Sequence, residues 1–140
     1  MILVSACLLG ENCKYNGGNN LDPAVLEFLR GQEVLPVCPE LAAGLGCPRT
    51  PVEIVNGVVT DRDGNVVDGA LRRAVEEILQ NLKGKDISCA VLKSRSPTCG
   101  VRQVYDGTFT GTLKDGMGIL AEALYNAGYL VIDAEDIPIK

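Results

Sequence analysis

The feature that most constrains this chain is a short apolar run placed directly before a cysteine or a cysteine-bearing turn, which occurs three times. Runs of this length, bounded by Gly and Pro, are typical of buried strands. The cysteines that follow them are Cys7, Cys38 and Cys99, and the runs are residues 2–6, 34–37 and 87–92. Helical patterns separate the runs, and such an alternation predicts an α/β fold with parallel strands.

The intervening segments supply the helices. Asp22 and Pro23 predict the start of one helix, as N-cap and first helical residue. Apolar residues at helical spacing predict a longer helix over 70–82, with Asp68 as its cap. A last helix is expected over 116–128, before a last strand over 129–132.

Two turn signals add hairpins to this plan. Asn56-Gly57 predicts a hairpin between strands 52–55 and 58–60, and Asp106-Gly107 predicts a second one between 104–105 and 108–109. Pro36 favours an edge position for the second strand. The expected architecture is a small, mainly parallel sheet of about four strands flanked by helices, with two β-hairpin excursions.

Length and charge exclude several classes of protein. The 140 residues, 46% of them hydrophobic, are expected to form a single α/β domain over 1–140. A net charge of −5 without a basic run disfavours binding to intact nucleic acid. No apolar stretch approaches the roughly 18 residues of a membrane span, so we expect no membrane association and a cytoplasmic protein.

The chain has six cysteines and no histidine. The absence of histidine excludes Ser-His-Asp and Cys-His nucleophilic pairs and all His-containing metal sites. In a cytoplasmic protein, cysteines more often bind metal or act in catalysis than form disulfides. A metal would have to be held by thiolates or carboxylates, and all-thiolate ligation indicates zinc or an iron–sulfur cluster.

The six cysteines differ in the roles that their sequence positions predict. Cys89 lies inside an apolar run and is expected to fill the core, while Cys13 and Cys47 lie in loops and are expected to have no direct role. Cys7, Cys38 and Cys99 end strands, and neighbouring parallel strands open onto one crevice. These three are therefore predicted to share a site, although each could also be a structural thiol.

Four motifs, in order along nearly the whole chain, carry a resemblance to a known family. They are Val4-Ser-Ala-Cys-Leu-Leu-Gly10, Cys38-Pro-Glu40, Cys47-Pro-Arg49 and Leu92-Lys-Ser-Arg-Ser-Pro-Thr-Cys-Gly100. Together they resemble the bacterial domain-of-unknown-function family typified by thiouracil desulfidase. Lys14, where the family usually has Arg, and a shortened stretch over 63–69 depart from that pattern.

The resemblance implies a [4Fe–4S] cluster held by Cys7, Cys38 and Cys99 as metal ligands. It implies that the iron without a protein ligand takes the sulfur of a small thiolated heterocycle, and that water replaces this sulfur without net electron transfer. Glu40 and Ser96 correspond to the residues that assist catalysis. The family's substrate is a thiolated pyrimidine such as thiouracil, and the products would be the oxo base and sulfide.

Residue chemistry is compatible with these roles. Glu40 lies two residues from Cys38 and could act as general base for water, and Ser96, three residues before Cys99, could donate a hydrogen bond or relay a proton. A surface or capping carboxylate and a turn hydroxyl remain the alternatives. We further predict three substrate-binding residues, and we expect Arg49 to form a structural salt bridge. The substrate-binding residues are Ser5, Asn12 and Lys93.

Two other classes of function stay open on the sequence. The same three cysteines could serve a zinc-binding or thiol-redox protein, although no CxxC pair occurs. Alternatively, the cysteines could be structural in a module whose Gly- and Asn-rich loop over 8–20 binds a small ligand. The sequence indicates neither the oligomeric state nor a sulfide acceptor.

Overall fold

The computed structural model describes residues 1–137, in which eight strands and four α-helices alternate. In chain order they are β1 (Ile2–Ser5), α1 (Pro23–Leu29), β2 (Val34–Val37), α2 (Pro39–Ala42), β3 (Val52–Val55), β4 (Val58–Asp61), α3 (Asp68–Leu82), β5 (Cys89–Leu92), β6 (Gln103–Tyr105), β7 (Leu113–Asp115), α4 (Ile119–Asn126) and β8 (Val131–Asp133). Short 3-10 turns follow β1 and β8, over Ala6–Leu9 and Ala134–Asp136.

Four of the strands form one parallel sheet in the order β2-β1-β5-β8. The two remaining pairs, β3-β4 and β6-β7, are antiparallel hairpins outside it. The predicted α/β architecture is therefore confirmed. Pro36 lies in β2 at the edge of the sheet, where a residue without an amide donor is tolerated.

Alternation along the central strands sends side chains to both faces of the sheet. Leu3, Ala90 and Leu92 pack with α3 and α4 on one face. Ile2, Val4, Cys89 and Val91 pack with α1 on the other. Because helices cover both faces, the polar ends of the strands are where a cavity can open. Cys89 is 6% exposed, which confirms its predicted place in the core.

Two local predictions were wrong. Asp68 does not cap α3 but is its first residue, where its carboxylate accepts the Val59 amide of the neighbouring hairpin and binds Arg72. In the second hairpin, β6 pairs with β7 rather than with residues 108–109.

The second hairpin is longer than predicted because hydrogen bonds within the loop over 106–112 stabilise that loop. Asp106 accepts the amide and hydroxyl of Thr108, and the Thr108, Thr110 and Thr112 hydroxyls form a hydrogen-bonded series. Glu53 anchors this loop by accepting the amides of Gly107 and Phe109. These contacts compete successfully with a two-residue Asp-Gly turn.

Within residues 1–137, no helix combines the length and apolar character that crossing a membrane requires.

Candidate active site

A cavity of about 480 Å³ opens where the carboxyl ends of β1, β2 and β5 meet. Cys7, Cys38 and Cys99 all line it, together with Glu40 and Ser96. The three strands are neighbours in the sheet, so their ends deliver these side chains to one place, as parallel topology predicts. The structure thus brings together the three predicted ligands and both predicted catalytic side chains.

Glu40 lies in the first turn of the short helix α2, directly after Cys38 and Pro39. Its side chain is buried, at 9% exposure. One carboxylate oxygen, Oε1, accepts the hydroxyl of Thr98 at 2.7 Å, and the other, Oε2, lies 3.7 Å from the Cys38 sulfur. Among residues 1–137, neither oxygen pairs with a cation or caps a helix, so the carboxylate lies at the cavity without a salt bridge.

Ser96 organises the turn that carries Cys99. Its Oγ accepts the backbone amides of Thr98 at 3.2 Å and Cys99 at 3.1 Å. This is the local turn bonding considered as an alternative for Ser96, and the same side chain also lines the cavity. Ser96 therefore both shapes the turn and contributes to the cavity wall.

This turn is docked on the N-terminus of α4. The amides of Ile119 and Leu120 donate to the carbonyls of Pro97 and Thr98 at 3.0 and 2.8 Å. The free amides of a helix N-terminus need acceptors, and the turn supplies them. Gly118 allows this approach, because a Cβ there would lie 2.4 Å from the carbonyl carbon of Thr98.

Burial controls the protonation of the thiols. It raises the pKa of Cys7, Cys38 and Cys99, and for Cys99, where the Glu40 carboxylate adds to the effect, the pKa rises to about 12. A hydrogen bond from Ser5 opposes this rise at Cys99. Neutral thiols are thus favoured without metal, and a cation that binds thiolates must displace their protons.

A fourth cysteine lies at this site, which the sequence did not indicate. Cys13 is buried and lines the cavity, with its carbonyl oxygen 3.9 Å from the Cys38 sulfur. Burial and the nearby Cys38 and Cys7 raise the pKa of Cys13 to about 12. Its contact with Cys38 depends on the path of the loop over 8–20, which no local pattern predicts.

The rest of the wall combines aromatic rings with cations. Tyr15, Tyr105 and Phe109 are three of the chain's six aromatic residues, and all three line this cavity. Phe109 has a φ of 57°, which is unusual for a side chain of this size, and Glu53 holds its amide. The cationic side chains of the wall are Lys14, Arg49, Arg62, Lys93 and Arg95.

The predicted substrate-binding residues have different placements. Ser5 and Lys93 line the cavity, and the Ser5 hydroxyl accepts the Lys93 amide at 2.9 Å. Asn12 is exposed, does not belong to the cavity wall and accepts the side-chain amide of Asn19. Its predicted contact with substrate has no support in the structure, because the loop turns its side chain away.

Arg49 differs from expectation, and the salt bridge in this region belongs to another arginine of the cavity wall. Arg49 forms no salt bridge within residues 1–137; it donates to the carbonyl of Gly46 and lines the cavity. Arg95 instead binds Glu135 through both carboxylate oxygens, at 2.9 and 3.0 Å. The turn that follows β5 is therefore tied to the segment that follows β8.

Comparison with known proteins places this geometry in a family. The model of the 2-thiouracil desulfurase family matches residues 2–136. The chain belongs to this family. The match covers every element that lines the cavity, so family membership and site geometry concern the same residues.

Two relatives illustrate the likeness. The uncharacterized protein YbbK of Bacillus subtilis (strain 168) is 33% identical over 147 aligned positions, covering 98% of this chain and 97% of YbbK. The solved structure of the [4Fe-4S]-dependent thiouracil desulfidase TudS has a TM-score of 0.90 and 34% identity, covering 98% of this chain and 92% of TudS.

The donor set suits a thiolate-bound cluster. Three thiols share one cavity wall in a chain without histidine, and the site offers no other soft ligand than Cys13. In the described part of the chain, no three Cys, Asp or Glu side chains meet closely enough to hold a single metal ion. Thiolates that each bind a different iron of one cluster need not meet around one ion.

Proposed function

We propose that this protein is a desulfidase that removes sulfur from a small thiolated pyrimidine such as thiouracil, with a [4Fe–4S] cluster held by Cys7, Cys38 and Cys99. The observation that carries the proposal is the convergence of these three thiols with Glu40 and Ser96 in one cavity. Membership of the 2-thiouracil desulfurase family and the likeness to TudS support it.

The reaction is a hydrolytic cleavage of a carbon–sulfur bond. Thiouracil and water give uracil and hydrogen sulfide, with no net change of oxidation state. The bound cluster would supply an iron with an open position, a sulfur-binding Lewis acid. The protein's own side chains must then activate water and manage its protons.

Glu40 is placed to act as the general base. Its Oε1 accepts the Thr98 hydroxyl, while the donor at Oε2 among the described residues is the weak Cys38 thiol. As a thiolate ligand, Cys38 would no longer donate, and Oε2 would be free to accept a proton from water. Ser96, on the same cavity wall, can turn its hydroxyl proton from Thr98 towards the charge that develops on the substrate.

The wall of the cavity suits a flat heterocycle. Tyr15, Tyr105 and Phe109 offer ring faces or edges for packing. Lys93, whose amide is fixed by Ser5, places a cation nearby that favours a deprotonated heterocycle. The volume of about 480 Å³ lies within the usual range of small-ligand pockets.

The test is turnover by protein reconstituted anaerobically with iron and sulfide. We expect release of sulfide from 2-thiouracil or 4-thiouracil in equal amount to uracil, with oxygen-18 from labelled water found in the uracil. Cys38→Ala taken through the same reconstitution should give no sulfide above the cluster-free protein. Loaded wild-type protein that releases sulfide from neither compound would overturn the proposal.

A further inference from the structure

Thr98 joins the two side chains to which the proposed reaction assigns proton transfer and hydrogen bonding. Its side chain is fully buried, with 0% exposure. Its hydroxyl lies 2.7 Å from Glu40 Oε1 and 3.0 Å from Ser96 Oγ. The Cys99 sulfur, at 3.7 Å, is its remaining contact among the described residues. All of these groups belong to the site, and none is a backbone carbonyl of the kind that usually satisfies a buried threonine.

The directions of these hydrogen bonds follow from counting protons. A carboxylate can only accept, so the single Thr98 hydroxyl proton points to Glu40. Ser96 must then donate its own proton to Thr98, since its Oγ already accepts two backbone amides. The network therefore runs in one direction, from the backbone amides through Ser96 and Thr98 to Glu40.

The network also separates the two oxygens of Glu40. Oε1 is held by Thr98, and a charge-assisted bond of this length fixes the plane of the carboxylate. Oε2 is left facing Cys38. Without Thr98, the carboxylate could rotate, and the oxygen that must meet the water would lose its direction.

We propose that Thr98 is a positioning residue, which holds the Glu40 carboxylate and the Ser96 hydroxyl in fixed relative orientation. This proposal rests on the proposed function, since it concerns the residues of that reaction. The sequence motifs predicted no role for Thr98. The proposed role concerns the orientation of side chains and not the binding of the cluster.

The test compares two substitutions of Thr98 with a control substitution of another threonine. Thr98→Val keeps the shape and removes the hydroxyl, and Thr98→Ser keeps the hydroxyl. The control, Thr60→Val, removes a hydroxyl of β4 that donates to the carbonyl of Val58 and lies outside the cavity wall. In cluster-loaded protein we expect kcat of Thr98→Val to fall about 10- to 100-fold with KM changed less than about twofold. Thr98→Ser should remain within about threefold of wild type, and Thr60→Val should be unchanged.

A second readout does not depend on turnover. Iron and sulfide content of Thr98→Val should equal that of wild type, while its crystal structure should show the Glu40 carboxylate rotated away from its place. If Thr98→Val does not fold, Thr98→Ala replaces it in both measurements. Full kcat in the valine variant, or equal damage by valine and serine, would overturn the proposal.

The two proposals can fail separately. If loaded wild-type protein releases no sulfide, the proposed function fails, and the structure of the variant still decides the role of Thr98. An unmoved Glu40 carboxylate in Thr98→Val would then refute the positioning role.

Discussion

At the scale of single residues, the proposed site depends on a buried carboxylate among thiols. Glu40 is held by one hydroxyl and faces the Cys38 sulfur, and no cation of residues 1–137 pairs with it. Cys7, Cys38 and Cys99 are favoured as neutral thiols by burial. The proposed acid–base role of Glu40 and the proposed metal-binding role of the thiols can be tested separately, by substitutions that keep one and remove the other.

Glu40→Gln separates the proposed acid–base role of Glu40 from the proposed metal binding by the thiols. The amide keeps the size of the side chain and can still accept from Thr98, but it cannot take a proton from water. We expect kcat for thiouracil to fall about 10²- to 10⁴-fold, with iron and sulfide content unchanged. Glu76→Gln, on the exposed face of α3, is the matched control and should have no effect. Loss of iron together with activity would assign Glu40 to cluster binding instead.

Some residues of the site could be predicted from the sequence and others could not. Cys7, Cys38, Cys99, Glu40 and Ser96 lie at or shortly after the ends of neighbouring strands, so sheet topology predicts that they meet. Cys13 and Phe109 reach the cavity through irregular loops, and Thr98 is buried behind the cavity wall in a hydrogen bond to Glu40. These places depend on contacts between residues distant in sequence. Asn12 lies outside the cavity wall, and its role in substrate binding stays a prediction.

At the scale of elements, helix α4 and the Ser96–Cys99 turn form one unit. The contact is close because residue 118 has no side chain, and a Cβ there would meet backbone atoms of Thr98 and Cys99 at 2.4 to 2.8 Å. Backbone cannot move aside as a flexible side chain can. The turn would have to shift, and with it Cys99.

Gly118→Ala should therefore damage both stability and the site. We expect a loss of about 1–3 kcal/mol in the free energy of unfolding, as for other overpacked positions, and a lower iron content after reconstitution. The control is Gly69→Ala in α3, where the added methyl group meets only the end of Arg73 at 3.9 Å. Urea unfolding and iron analysis check both variants. Equal iron content in Gly118→Ala and wild type would contradict the coupling of α4 to the site.

The first hairpin is tied to α3 by Asp68. Burial acts to raise the pKa of this carboxyl, but the Val59 amide and the Arg72 guanidinium outweigh it and lower the pKa below 3.8. Because the pKa of the Asp68 carboxyl is lower in the folded state, the carboxylate stabilises the fold fully at any pH above its unfolded pKa near 3.8. This stabilisation is lost as the pH falls through the lowered pKa of the folded protein.

Asp68→Asn should show this pH dependence. At pH 7 we expect the variant to unfold about 1 kcal/mol more easily than wild type, because a charge-assisted bond is replaced by a neutral one. The difference should shrink as the pH is lowered from 5 towards 3, when wild-type Asp68 becomes protonated. Urea unfolding of the apoprotein over this range measures it. A difference that stays constant with pH would show that the charge of Asp68 contributes nothing.

At the scale of the whole molecule, the parallel sheet explains how three separate motifs become one site. The order β2-β1-β5 places the ends of three strands side by side, although their cysteines are far apart in sequence. This part of the fold was predictable, because apolar runs, helix caps and turn signals agree with each other. The exact hairpin of β6 and β7 was not, because tertiary anchoring by Glu53 overrides the local turn signal.

The cluster is the central claim, and its most direct test is the iron and acid-labile sulfide content of anaerobically reconstituted protein. We predict about four of each per chain in wild type, and loss of both in Cys7→Ala, Cys38→Ala and Cys99→Ala. Cys89→Ala, which removes a core thiol on the far side of the sheet from α3, should keep them. Folded wild-type protein that takes up no iron, or that holds zinc in its place, would contradict the account.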